Sequence, residues 1–202
     1  WKAYGTLVGT FNLLVYGSVS YLACLRAGSD APAHAPAAFA LFLLGAANTF
    51  TNYGHHTFHI AQAPWVQWAG FLVSASEMVI VAVLLVELAR PVPDAQDDAA
   101  LPVLRWGRFW SFVMIALAVL LSFPPLNTLA HGTHLVMAHA MGSMLGIDTL
   151  LLIAVHLELR RRWGLTGTPR TRRWVRWAVL LLNLGLAGVV ASLSARGTAD
   201  AV

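Results

Sequence analysis

Residues 78–86 read Met78-Val79-Ile80-Val81-Ala82-Val83-Leu84-Leu85-Val86, an unbroken apolar run. A strand of a membrane barrel would alternate apolar with polar side chains, and this stretch does not. Outward from it, the chain carries no Asp, Glu, Lys or Arg over 3–25, 31–76, 109–147 and 177–195. A hydrocarbon core about 30 Å thick takes roughly 20 residues of helix. Split at their Pro, Gly and His punctuation, these intervals predict six helices, near 4–26, 37–60, 66–90, 107–130, 133–159 and 174–195. A helix satisfies its own backbone hydrogen bonds, as lipid demands. The expected fold is all-α, a polytopic membrane helix bundle of about six transmembrane helices forming one domain over 1–202.

Composition agrees. Hydrophobic residues make up 58% of the chain and charged residues 11%, against roughly 45–50% and about 25% in ordinary globular domains. Too few charges remain to cover a water-soluble surface, and the chain is too apolar to be disordered. The single cysteine, Cys24, excludes an intramolecular disulfide framework and a cysteine-built zinc or iron–sulfur site. The sequence opens at Trp1 and enters a span almost at once, without a basic–apolar–small-residue leader. It therefore reads as a segment of a longer membrane protein. The longest polar connection is expected over 91–105, Asp-rich and flanked by proline.

Six spans put the loops near 27–36, 91–106 and 160–173 on one side. Arg26, Arg90, Arg105, Arg108, Arg160, Arg161, Arg162, Arg170, Arg172, Arg173 and Arg176 gather there, leaving Lys2 and Arg196 opposite. Basic residues mark the cytoplasmic face, so the other face is expected outside. The net charge of +4 is then a topology signal, with no nucleic-acid partner implied. In this frame His55, His56 and His59, at the outer end of the second span, share a depth with His131, His134 and His139, at the start of the fifth. His34 and His156 fall near the inner face.

Ionisable groups within lipid are costly and mark function. Adjacent helical side chains diverge by about 100°, so His55 and His56 converge on one ion only at an irregular helix end, which Gly54 and Pro64 permit. With no cysteine competing, imidazoles suit iron or copper. Glu77 stands in an otherwise apolar span. It reads either as functional or as a carboxyl satisfied by a neighbour such as Ser74. His139, Gly142 and Gly146 share a helical face by the three-and-four spacing. Small residues there leave room for a macrocycle below a proximal histidine, or serve close helix packing; spacing alone does not choose. Met137, Met141, Met144 and Asp148 share the opposite face, and that methionine stripe reads as packing. His131 and His134 read as capping or interfacial residues, and His59 is equally open.

The stretch Asn52-Tyr53-Gly54-His55-His56-Thr57-Phe58-His59-Ile60, with Pro64-Trp65 and Ser74-Ala75-Ser76-Glu77, resembles helices seven and eight of the catalytic subunit of haem–copper oxidases. Asn127-Thr128-Leu129-Ala130-His131-Gly132-Thr133-His134, with Ala138-His139-Ala140-Met141-Gly142, resembles the loop between helices nine and ten and helix ten itself. The nearest look is that of the nitric oxide reductase large subunit, and the segment corresponds to helices six to eleven. The resemblance implies that His55 and His56 bind a non-haem metal, iron or copper. It implies that His139 is the proximal ligand of a high-spin haem b, and that Glu77 is the catalytic carboxylate beside the binuclear centre, delivering protons or holding metal ligands. Met141 stands where the family carries a second histidine, so it either ligates a low-spin haem or marks an altered site. The first span has neither the third metal histidine nor a glutamate ligand.

The implied protein is a respiratory terminal reductase of the bacterial cytoplasmic membrane. It would reduce nitric oxide to nitrous oxide, with a cytochrome c-type or quinol electron donor and the remaining part or subunits of a complex. An oxygen-reducing cytochrome oxidase is the first alternative; Tyr53, just before the pair, is not where its cross-linked tyrosine belongs. A non-catalytic haem- or metal-binding membrane protein and a transporter with a histidine-lined ion path are the others.

Overall fold

The computed structural model describes residues 2–50, 57–58, 60–88, 98–165 and 167–201, with the side chains of 2–8 and 50 left aside. All regular structure among the described residues is helical. In order these are α1 (Lys2–Ala27), a 3-10 turn (Ala31–His34), α2 (Pro36–Phe50), α3 (Pro64–Leu88), α4 (Ala100–Ser122), α5 (Pro124–Ala130), α6 (His134–Ser143), a π turn (Met144–Asp148), α7 (Thr149–Arg162) and α8 (Pro169–Asp200).

The sequence explains most of the boundaries. Gly28 and Gly164 end α1 and α7 with φ of 70° and 68°, a left-handed conformation that glycine adopts without a Cβ clash. Pro124 and Pro125 end the fourth predicted span early. The residue before a proline is driven extended, and Phe123 has φ −71° and ψ 116°. One predicted helix thus becomes α4 and the short α5. At the other end α4 starts at Ala100, so the polar connection stops well before Arg105. Asp98 helps to start it, its Oδ1 accepting the Leu101 N–H at 3.0 Å. Thr168 caps α8 by accepting the Thr171 N–H at 3.2 Å, with Pro169 in the first turn.

Four stretches among the described residues are long and apolar enough to cross a membrane: α3, α4, the continuous unit His134–Arg162 and α8. Together with α1 and α2 they form the expected all-α, polytopic membrane bundle. α2 is a shorter apolar helix over its described residues, and α1 contains an interval that carries no Asp, Glu, Lys or Arg from 3 to 25, the length of a full span. The chain is a multi-pass membrane protein. α1 packs on α2, α3 and α7, while α4 packs on α3, α6 and α7, and α6 lies along α8. The core at their junction includes Val19, Leu22, Leu85, Leu104, Trp110, Met114, Leu150, Leu151 and Leu186. Large apolar side chains such as Leu72, Val79, Leu181 and Leu184 point outward, as a lipid-facing surface requires.

One end of the bundle is closed by charge. Arg26, at the end of α1, binds Asp98 through two parallel hydrogen bonds of 2.9 and 3.1 Å. It also reaches Glu158 of α7 at 4.0 Å. Glu158 is fully buried and takes Arg161 at 2.5 Å and Arg162 at 3.6 Å. The end of α1, the start of α4 and the end of α7 therefore meet at one level, as alternating spans require.

Candidate functional site

Glu77 lies at the centre of a polar cluster built by three helices. It is 4% exposed on α3. The Tyr16 hydroxyl of α1 donates to its Oε1, and Asn48 Nδ2 of α2 donates to its Oε2. Ser74, one turn before Glu77, donates to Asn48 Oδ1 at 3.4 Å. Ser74 is the neighbour expected to satisfy Glu77 directly; it does so through Asn48 instead. The tyrosine reaches the carboxyl because Gly45 leaves its path open. A Cβ on Gly45 would stand 2.8 Å from the Tyr16 ring and 3.6 Å from Glu77 Oε1.

A carboxyl that accepts from both sides is fixed in orientation. Sequence reasoning missed Tyr16 and Asn48. The available signal was their polarity within apolar helices, the same signal that singled out Glu77.

His55 and His56 lie outside the described residues, as does His59. Beyond the pair the chain turns inward: Thr57 and Phe58 are buried. Gln62 Nε2 donates to the Thr57 carbonyl at 3.0 Å and Gln67 Nε2 to that of Phe58 at 3.4 Å, which fastens the segment to the start of α3. Phe71 and Trp68 of α3 then meet Phe123 edge-on, with centroids 5.8 and 5.4 Å apart.

His139 sits on α6, mostly covered; its ring interacts with the Met114 backbone of α4, and its Nδ1 is buried without a hydrogen bond of good geometry. A buried imidazole nitrogen left unsatisfied costs free energy and calls for an explanation. Gly142 and Gly146 do lie on a contact face. A Cβ on Gly142 would collide with the Met114 side chain of α4, and one on Gly146 would stand 2.7 Å from the Trp110 ring. Of the two readings of these glycines, close helix packing is the one realised. The methionine stripe is the reverse case: Met137 and Met144 are exposed, so it faces outward instead of packing. Met141 is half-buried on α6.

The π turn explains how α6 and α7 carry different faces along one continuous unit. It adds a residue to the ring of backbone bonds and so rotates α7 about the helix axis relative to α6; Thr149 Oγ1 donates to the Met144 carbonyl at 2.8 Å. His134 is structural. Its Nδ1 pairs with Asp200 of α8 at 2.5 Å, and Arg196 Nε joins the same carboxylate at 3.0 Å. Thr133, not His134, caps α6, accepting the Leu135 N–H at 3.2 Å.

Glu77 and His139 are thus carried by α3 and α6, helices that both pack on α4. Among the described residues no three His, Cys, Asp or Glu side chains gather where a metal ion would bind.

The model of the family "Cytochrome C and Quinol oxidase polypeptide I" matches residues 1–202. The chain belongs to this family. Members of the polypeptide I family are oxidoreductases that bind haem with copper or iron and work with other subunits and electron donors in a membrane complex. No curated protein and no solved structure matches the chain. The donor present is of the kind a polypeptide I haem takes, an imidazole with a buried nitrogen lacking a partner, while the space beside it at Gly142 and Gly146 is filled by Met114 and Trp110.

Proposed function

We propose that this chain carries the haem ligand and the non-haem metal pair of a respiratory terminal reductase that converts nitric oxide to nitrous oxide, with the site near the outer face of the bacterial cytoplasmic membrane. The observation that carries this reading is the unpartnered, buried Nδ1 of His139 in a chain of the polypeptide I family. His139 would hold the high-spin haem, His55 and His56 the non-haem iron, and Met141 is the candidate for a second haem contact. The two metal groups, when bound, supply the electrons that reduce the substrate. Glu77 would hold a proton for the reduced product, with Tyr16 donating to one oxygen and Asn48 fixing the other. Electrons would come from a cytochrome c-type or quinol donor through the rest of the complex. Nitric oxide is preferred to oxygen because Tyr53, two residues before His55, is not where the cross-linked tyrosine of an oxygen-reducing oxidase belongs.

Elemental analysis of the purified complex tests the metal assignment. Iron alone is expected, and one equivalent of copper points to oxygen reduction instead. In His55→Ala and His56→Ala the non-haem metal is expected to be lost and the haem retained; metal retained in both variants removes the pair from the site.

Glu77→Gln keeps the volume and the acceptor for Tyr16, and a flip of the Asn48 amide restores the second contact. Only the exchangeable proton is lost. Turnover is expected to fall about 100-fold, the scale of lost general acid–base help, with haem and metal content unchanged. Normal turnover in this variant makes Glu77 a packing residue.

A further inference from the structure

At the arginine-rich end of the bundle, α4, α7 and α8 enclose a cavity of about 490 Å³. Arg160, Arg161, Arg172 and Arg176 line it together with His156 and Trp106. Asp98 in its wall is gripped by Arg26 through two hydrogen bonds and Arg161 is held by Glu158, so the positive charge of the lining comes from Arg160, Arg172 and Arg176. Val103 from α4 and Val175 and Val179 from α8 add an aliphatic part to the same lining. A lining that is part arginine and part aliphatic matches a molecule with a phosphate at one end and hydrocarbon at the other.

The level of the cavity in the bundle selects among such molecules. Trp106, Trp163, Trp174 and Trp177 are all exposed around this end, and exposed tryptophans mark the headgroup layer of a bilayer. The arginines of α8 start at Arg170, just past the cap, and the charge-free stretch begins at 177, so the mouth lies where headgroups end and acyl chains begin. Basic recesses between transmembrane helices at this depth take anionic lipid headgroups.

We propose that this cavity is a binding site for one anionic phospholipid. Its phosphodiester sits among Arg160, Arg172 and Arg176, and an acyl chain lies along Val103, Val175 and Val179. The lipid seals the cleft between α4, α7 and α8 beside the Arg26–Asp98–Glu158 network. This site is independent of which substrate the complex reduces.

The test places the purified full chain in phosphatidylcholine nanodiscs doped with dibrominated lipid, whose bromines quench tryptophan on contact. The Trp106 signal is taken as the difference from Trp106→Phe. Dibrominated phosphatidylglycerol is expected to half-quench it at a mole fraction about fivefold or more below that of dibrominated phosphatidylcholine, the factor one arginine near an anionic headgroup supplies. The pair R172Q/R176Q is expected to lose the preference. The pair R170Q/R173Q removes the same charge from the same helix outside the cavity and is expected to keep it. Helix content by circular dichroism checks insertion, and Arg160→Gln replaces the first pair if that pair does not insert. Equal quenching by the two lipids overturns the proposal, and so does equal loss in both arginine pairs, which signals diffuse surface attraction. Abolition of the preference by excess inorganic phosphate assigns the cavity to free phosphate and overturns it as well.

Discussion

Arg26→Met is expected to destabilise the protein by about 3–5 kcal/mol, the cost of removing one partner from a buried ionic group. The side chains of Arg26 and Asp98 are 6% and 10% exposed, and that of Glu158 is fully buried. Arg26 is the cation these two carboxylates share, and it spans the gap between the end of α1 and the end of α7. Methionine preserves most of the stem's volume, so the loss is one of charge and hydrogen bonding. Glu158 keeps Arg161 at 2.5 Å, but Asp98 loses both of its short bonds to the Arg26 guanidinium. The measurement is the denaturation midpoint of the detergent-solubilised protein, followed by circular dichroism. Adding Asp98→Asn to the same protein removes the stranded charge and is expected to recover part of the loss. A change below about 1 kcal/mol in Arg26→Met would show that water screens the network as it does a surface pair.

The same network shows what was legible in the sequence. The charge-free intervals placed the helices because lipid tolerates so few ionised groups, and 66–90 became Pro64–Leu88 almost unchanged. They located the apolar part of a helix and not its ends. α8 runs from Pro169 to Asp200, longer than the predicted 174–195, because arginines at the membrane surface continue a helix as readily as leucines do. The split at Phe123 was written in Pro124-Pro125, but the π turn had no sequence mark: Met144-Leu145-Gly146-Ile147-Asp148 reads as ordinary helix. The sidedness of the arginines was legible, whereas their partners were not. Asp98 and Glu158 lie far along the chain from Arg26, and only the packing of α1 against α7 brings the three together.

The candidate site divides in the same way. Glu77 was conspicuous as a lone carboxyl in an apolar helix. Its partners Tyr16 and Asn48 share that polarity within apolar helices, but uncharged they stand out less, and their role emerges once α1, α2 and α3 are packed. For Gly142 and Gly146, spacing left haem room and helix packing equally open. The side chains of Met114 and Trp110 decide it, and neither is near α6 in sequence. His139 was legible as a candidate through its motif, and what the fold adds is the buried nitrogen with no partner.

His139→Ala carries the largest functional effect, because an axial imidazole is what retains and tunes a protein-held haem. Removing it also removes an unsatisfied buried polar atom, so the fold is expected to tolerate the change. The optical spectrum of the reduced, carbon monoxide-treated complex is the most direct measurement, since carbon monoxide reports an open haem position. The high-spin haem signal is expected in the unaltered complex and absent in His139→Ala, with helix content and membrane insertion preserved in both. An unchanged haem spectrum in His139→Ala would contradict the assignment of this histidine and, with it, the account of the chain as the haem-holding part of a terminal reductase.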